Sequence, residues 1–242
     1  AFAYLPASAP FLPYEAAPAV NELPAMSCGY LTFGSFNRPS KITRSVVSLW
    51  AGLLRSLPGS RMLLAGMPAV GGDDTLAEWF AQEGIERGRL NFHVRSNMDY
   101  YMGLHHQVDI CLDTFPYNGG TTTRHALWMG VPTLTLAGDT PASRSGASVL
   151  GHVGLEAFVA HDAEDFVQKG LSLTGDLVAL HDIRTGLRER LAKSAIGQPA
   201  LIAAGLNQAF RIMWERWCRG APPESFEASG SATADLSPES GK

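Results

Sequence analysis

Val108 to Thr123 reads VDICLDTFPYNGGTTT: a short apolar run, a turn-forming stretch and three threonines. The run Val108–Leu112 has the length of a buried strand, and Asp113 to Gly120 carries Pro, Asn and Gly, which interrupt both strand and helix. The threonines open a helical pattern from Thr122 to Met129. Strand, turn and helix in that order form half of a βα unit.

The same grammar continues on both sides. Upstream, Tyr30–Gly34 reads as a strand and Thr43–Leu57 as a helix, with Val46, Val47, Trp50, Leu53, Leu54 and Leu57 recurring at helical spacing until Pro58-Gly59 ends it. Met62–Leu64 (strand), Leu76–Glu83 (helix), Leu90–Val94 (strand) and Asp99–Gln107 (helix) lead into the central stretch. Downstream come Pro132–Leu136 (strand) and Ala142–Leu150 (helix), then Phe158-Val159 and three helical segments, Ala163–Leu173, Asp176–Leu191 and Leu201–Trp217. Each parallel crossover needs a connection of a dozen or more residues, so this alternation predicts an α/β protein with a doubly wound parallel sheet. Trp50, Trp128 and Trp214 lie on helix faces and are read as core.

The ends differ in composition. Residues 1–27 are rich in Pro and Ala without sustained periodicity and are read as a connector from an upstream domain; residues 28–218 form the domain; residues 219–242, Ser/Pro/Glu-rich, are expected to be disordered. The start lacks an initiating Met and a basic signal-peptide region, and reads as a cut inside a longer protein. Three widely spaced cysteines fit a reducing, cytoplasmic location. The longest uncharged apolar stretch, 126–138, is too short for a membrane span.

With 19 Lys+Arg against 23 Asp+Glu, the net charge of −4 offers no field for nucleic acid. An anionic ligand must be held locally, and ligands of doubly wound sheets bind beyond the carboxyl ends of strands. Two loops leave strands on that edge: Gly34–Lys41, with Arg38 and Lys41, and Asp113–Thr123. Gly119 and Gly120 remove Cβ atoms where a ligand would approach the backbone. The helix start offers unpaired N–H groups, and Thr121 and Thr122 add hydroxyls, a setting suited to phosphate. The same letters fit an ordinary turn with a threonine N-cap, and Lys41 alone fits a solvated surface lysine. Asp109 and Asp113 are read as strand-end groups. His105 and His106, about 100° apart on a helix, do not form a metal pair, and His93 and His125 add no ligand spacing, so no metal is assigned. The absence of Gly-x-Gly-x-x-Gly after the first strand argues against a dinucleotide oxidoreductase.

YLTFGSFN (Tyr30–Asn37) with Lys41, the stretch Val108–Thr123, ALWMGVP (Ala126–Pro132) and GDTPASR (Gly138–Arg144) together resemble the carboxyl-terminal half of the catalytic region of the O-linked N-acetylglucosamine (O-GlcNAc) transferases, including bacterial homologues. The resemblance runs from residue 28 to Cys218. It implies the Rossmann-like, nucleotide-sugar-binding half of a GT-B glycosyltransferase. Such enzymes transfer N-acetylglucosamine (GlcNAc) from UDP-GlcNAc to Ser or Thr of proteins, with inversion and without a metal or other cofactor. An upstream catalytic domain and tetratricopeptide repeats are the implied partners within the same protein; a protein or peptide is the acceptor.

By the same resemblance Lys41 contacts the diphosphate and is catalytic, Arg38 stands where the family has a glutamine near the phosphates, and Thr121 and Thr122 bind the diphosphate. Ser96 falls where backbone groups read the uracil, and Tyr101 where the family has a histidine near the nucleotide. His125 replaces an aspartate that binds the ribose diol; neutral imidazole accepts one hydrogen bond, not two. A protein N-glucosyltransferase, another UDP-sugar transferase and a non-catalytic UDP-sugar-binding module are the alternatives.

Overall fold

A computed structural model describes residues 1–69 and 72–230. The chain divides into two compact units, 13–191 on one side and 1–12 with the segment from Ala192 onward on the other.

The larger unit is built on six parallel strands: β1 (Thr32–Ser35), β2 (Arg61–Met67), β3 (Leu90–Val94), β4 (Ile110–Leu112), β5 (Thr133–Leu136) and β6 (Val159–Ala160). Their order is β3-β2-β1-β4-β5-β6. Chain direction along the sheet therefore reverses between β1 and β4, the two strands whose loops carry the candidate residues, and such a switch point opens a crevice at the strand ends. The helices are α1 (Arg44–Ser56), α2 (Gly72–Gln82), α3 (Met98–Leu104), α4 (Thr121–Trp128), α5 (Ser145–Gly151), α6 (Ala163–Thr174) and α7 (Leu177–Lys193).

Helix α1 shows how the pattern becomes packing. Thr43 caps it by accepting from the Val46 N–H, and Val46, Val47, Trp50, Leu53 and Leu54 are all buried. Leu53 sits against α6 where Gly170 has no side chain; a Cβ there would stand 2.6 Å from Leu53 Cδ1. Burying each such side chain contributes roughly 1.5–3 kcal/mol. The Trp50 indole also donates to the Asp113 carbonyl at 3.1 Å, tying the helix to the end of β4. The segment expected as one helix over 99–107 is α3 followed by a 3-10 turn, His105–Gln107, before β4.

Residues 13–28 are not extended free of the domain. Arg184 on α7 donates to the Asn21 carbonyl and side chain, Arg188 donates to the Pro18 carbonyl at 2.6 Å, and the Ala25 N–H donates to Asp109 at 2.9 Å. A short helix, Pro24–Cys28, follows, with Leu23 and Ala25 buried. A proline-rich backbone satisfies few hydrogen bonds by itself, and here cations about 160 residues away supply the donors.

In the smaller unit Ala3–Tyr4 pairs in parallel with Phe226–Glu227, so the described part of the expected tail carries a strand; residues 231–242 lie outside the described residues. Its long helix, α8 (Pro199–Cys218), buries Ile202, Gly205 and Ala209. Trp214, read as core, is 66% exposed, because the inward stripe at 202, 205 and 209 leaves it on another face. Leu206, Phe210, Met213 and Trp217 are exposed with it.

Candidate functional site

The loops after β1 and β4 open on one cleft of about 1520 Å³. Its floor is organised by Asp113, the residue immediately after β4. One carboxylate oxygen accepts from the N–H groups of Thr114 (2.9 Å) and Gly119 (2.6 Å) and from the Asn37 amide (3.4 Å); the other accepts from the Thr135 hydroxyl at 2.8 Å. Full burial pushes Asp113 up to about 6, against the pull of these donors and of Lys41. Asn37 passes the connection on, accepting from the Thr122 hydroxyl at 3.1 Å. One buried carboxylate thus joins the β1 loop, the glycine turn and α4.

This arrangement corrects the reading of Gly119. Its N–H is spent on Asp113, and it is absent from the cleft lining. A Cβ there would stand 2.6 Å from Thr123 Oγ1 and 2.7 Å from Thr122 Oγ1, so the glycine is required for internal closure of the turn. Gly120 does line the cleft and is the N-cap of α4, with no side chain capping the helix. The turn is therefore not a threonine-capped one. The first-turn donors of α4, with its positive dipole end, are left toward the cleft.

Lys41 ends a 3-10 turn, Pro39–Lys41, that follows β1. Its ammonium donates to the Asn118 carbonyl at 2.9 Å and lies 4.1 Å from the centre of the Tyr117 ring. Asn118 is in turn fixed through its amide to the Thr114 carbonyl (2.8 Å) and accepts from the Gly146 N–H (3.3 Å). Burial pushes the Lys41 pKa down, Asp113 pulls it up and Arg38 pushes it down again. The lysine is partly buried and held directly by a neutral carbonyl and a ring face, with Asp113 acting on it only at longer range.

At the other end of the cleft, Tyr101 makes edge-on contacts with Phe36, His105 and His125, its ring 5.5, 5.3 and 5.5 Å from theirs. Its hydroxyl is 3.3 Å from His125 Nδ1. Burial pushes the phenol up and the His125 imidazole down, so both are neutral at neutral pH. His105 stacks flat on Phe36 at 3.7 Å, with Nδ1 against the Tyr101 and Met102 carbonyls; it is a packing residue. His106 Nε2 meets the Ala19 carbonyl. Ser96 is exposed beside Asn97, the cap of α3, on the same wall as Val94 and Arg95.

Arg38, Lys41, Ser96 and Tyr101 therefore share one cleft with Gly120, Thr121, Thr122 and His125. Sequence reasoning missed Asn37, Arg95, Tyr117, Asn118 and the organising role of Asp113. The signal for Asp113 was its place directly after a strand and before a glycine turn, where a buried acceptor can gather loop N–H groups. The charge balance is decisive. Arg38, Lys41 and Arg95 line the cleft, and no carboxylate does among the described lining residues, in a chain whose net charge is −4.

A mutant of the Thermobaculum terrenum O-GlcNAc transferase has a similar structure, with a TM-score of 0.78 and 32% identity over 87% of this chain and 40% of that one. Sucrose-phosphate synthase from Thermosynechococcus elongatus shares the fold at 14% identity (TM-score 0.55, 82% of this chain and 52% of that one). These likenesses bear out the α/β fold of GT-B glycosyltransferases. Among curated relatives, the probable UDP-N-acetylglucosamine–peptide N-acetylglucosaminyltransferase SPINDLY of Arabidopsis thaliana is 38% identical over 222 residues, 88% of this chain and 24% of the relative. The corresponding protein of Petunia hybrida is 37% identical over 219 residues, 88% of this chain and 23% of the relative. The chain thus spans about a quarter of the length of these relatives. Residues 21–201 match the model of glycosyl transferase family 41, and the chain belongs to that family.

Proposed function

We propose that this chain is the nucleotide-sugar-binding part of a glycosyltransferase that takes UDP-GlcNAc as donor and transfers GlcNAc to Ser or Thr hydroxyls of a protein. The observation that carries this is the cleft lined by Arg38, Lys41 and Arg95 with no carboxylate among the described lining residues, into which an uncapped helix start opens. The relatives named for UDP-N-acetylglucosamine–peptide transfer support the donor and acceptor classes.

In this reading the diphosphate lies between Lys41 and the Thr121/Thr122 start of α4, and the nucleoside lies toward Tyr101, Ser96 and His125. The acceptor oxygen attacks the anomeric carbon from the face opposite UDP. A new C–O bond forms as the bond to the diphosphate breaks, inverting the centre, and the acceptor proton leaves to a base outside this chain. Negative charge grows on the departing UDP, and Lys41 with the helix-start donors stabilises it more than the ground state. That supplies what a divalent ion supplies in metal-dependent transferases. No helix among the described residues is long and apolar enough to cross a membrane. The free thiols Cys28 and Cys218, both exposed, fit a cytoplasmic location. The exposed face of α8 carrying Phe210, Met213, Trp214 and Trp217 is assigned to the upstream catalytic half, which would also supply the acceptor side.

The test is calorimetric titration of UDP into the chain in excess EDTA. Binding should persist unchanged; binding lost on chelation and restored by Mg²⁺ or Mn²⁺ would refute the metal-free reading. The chain alone should glycosylate no peptide. The longer protein should consume UDP-GlcNAc, whereas a pure sensor would bind it and release no sugar.

A further inference from the structure

Arg124, on the first turn but one of α4, is placed where a structural arginine has little reason to be. Its side chain runs back along the helix, as long helical side chains do, and one guanidinium nitrogen reaches to 3.9 Å from the point where a Cβ on Gly120 would stand. The Ser145 hydroxyl is 4.0 Å from that same point. Gly120 and Ser145 both line the cleft; Arg124 is not itself a lining residue, and its guanidinium stands directly behind Gly120.

Two energetic costs meet there. Arg124 is half-buried and its Nε is buried without a hydrogen-bond partner; among the described residues no carboxylate pairs with it. Removing a charged donor from water without an acceptor is unfavourable. The side chain also points a positive charge at the positive end of its own helix, the reverse of the stabilising placement. Burial accordingly pushes its pKa down with no acid opposing it, and burial followed by the Arg124 charge pushes down the nearby His152. An anion seated at the start of α4 offers an acceptor to the terminal guanidinium nitrogen nearest Gly120 and offsets its charge against the helix dipole. A Cβ on Gly120 would already stand in van der Waals contact with the guanidinium.

We propose that Arg124 is a second phosphate-binding cation of the cleft, meeting the donor diphosphate from the α4–α5 side while Lys41 meets it from the β1 loop. The proposal rests on the reading of the cleft as a nucleoside-diphosphate site. Guanidinium, with paired N–H groups in one plane, holds two phosphate oxygens at once, whereas Lys41 acts as a point charge. Binding would then depend on the number of phosphates the ligand carries.

The experiment compares the parent chain with Arg124→Met, Arg124→Lys and Lys41→Met, measuring UDP by calorimetry and uridine by saturation-transfer NMR, with thermal melting to confirm folding. Arg124→Met should weaken UDP by on the order of 10-fold or more and leave uridine within about twofold. Arg124→Lys should retain part of the UDP affinity. If Arg124→Met leaves UDP unchanged while Lys41→Met weakens it, Arg124 is not a phosphate ligand and the cleft reading stands. An equal loss of UDP and uridine, or a folding defect shared by Arg124→Lys, makes the residue structural and overturns the proposal. A parent chain that binds no UDP removes both readings.

Discussion

The two ends of β4 treat charge in opposite ways. Where the chain enters the strand, Asp109 accepts from the N–H groups of Ala25 and Thr32, and the fully buried Arg184 spreads its guanidinium over the carbonyls of Asn21, Val108 and His105 and the Asn21 side chain. Each of its three nitrogens donates, and burial still pushes Arg184 down to about 10. Where the chain leaves the strand, only Asp113 is closed in this way. The cations at that edge, Lys41, Arg38, Arg95 and Arg124, form no salt bridge with a carboxylate among the described residues. A cation closed by backbone carbonyls is a staple for the fold, and one held beside open donors is prepared for an anion that the protein does not itself supply.

That contrast can be broken by mutation, and the largest effect is expected at the closed end. Arg184→Met removes the donor to the Asn21, Val108 and His105 carbonyls and to the Asn21 side chain, and should cost about 3–5 kcal/mol in denaturant unfolding, since a buried charged network is broken. A loss below about 1 kcal/mol would show that this end is not a staple.

Asp113 sharpens the comparison through pH. Its native value, raised to about 6 from 3.8, means that the folded state binds the proton more tightly than the unfolded chain. Its contribution is greatest below pH 3.8 and is lost as pH rises through 6, on the order of 3 kcal/mol in all. Unfolding free energies of the parent and of Asp113→Asn, measured between pH 4 and 7, should differ in slope with that sign. Parallel profiles would place the carboxylate in a more hydrated setting.

Lys41→Met should reverse the pattern seen at Arg184. Little stability is lost, because the ammonium is held by one backbone carbonyl and a ring face. In the longer enzyme kcat should fall by roughly 10²-fold or more, about 2.7 kcal/mol, with a smaller rise in donor KM. A kcat within about threefold of the parent would remove Lys41 from the reaction. Smaller again is Thr121→Val, which deletes one neutral hydroxyl beside an intact helix start. It should cost roughly 1–2 kcal/mol, shared between kcat and KM in steady-state kinetics.

Much of the comparison's open end was legible in the chain. Apolar periodicity placed the strands of the six-stranded sheet and the helices between them within a few residues, as with α1 and β3, because those patterns are set by neighbours three, four or two positions apart; the helix Pro24–Cys28 and the strands Ala3–Tyr4 and Phe226–Glu227 carried no such pattern. The alternation of elements then put the loops Gly34–Lys41 and Asp113–Thr123 on one edge of the sheet, and Lys41, Thr121 and Thr122 followed from residue type and loop position. Only the tertiary structure decided how each polar group is used. Gly119 turns inward because Asp113 is there to receive it; Lys41 is held by Asn118, 77 positions away; the proline-rich start is fastened by Arg184 and Arg188, more than 160 positions away. Whether a buried charge is closed or left waiting depends on acceptors brought close by the crossing of strands, and that proximity is a property of the folded chain, not of any window along it.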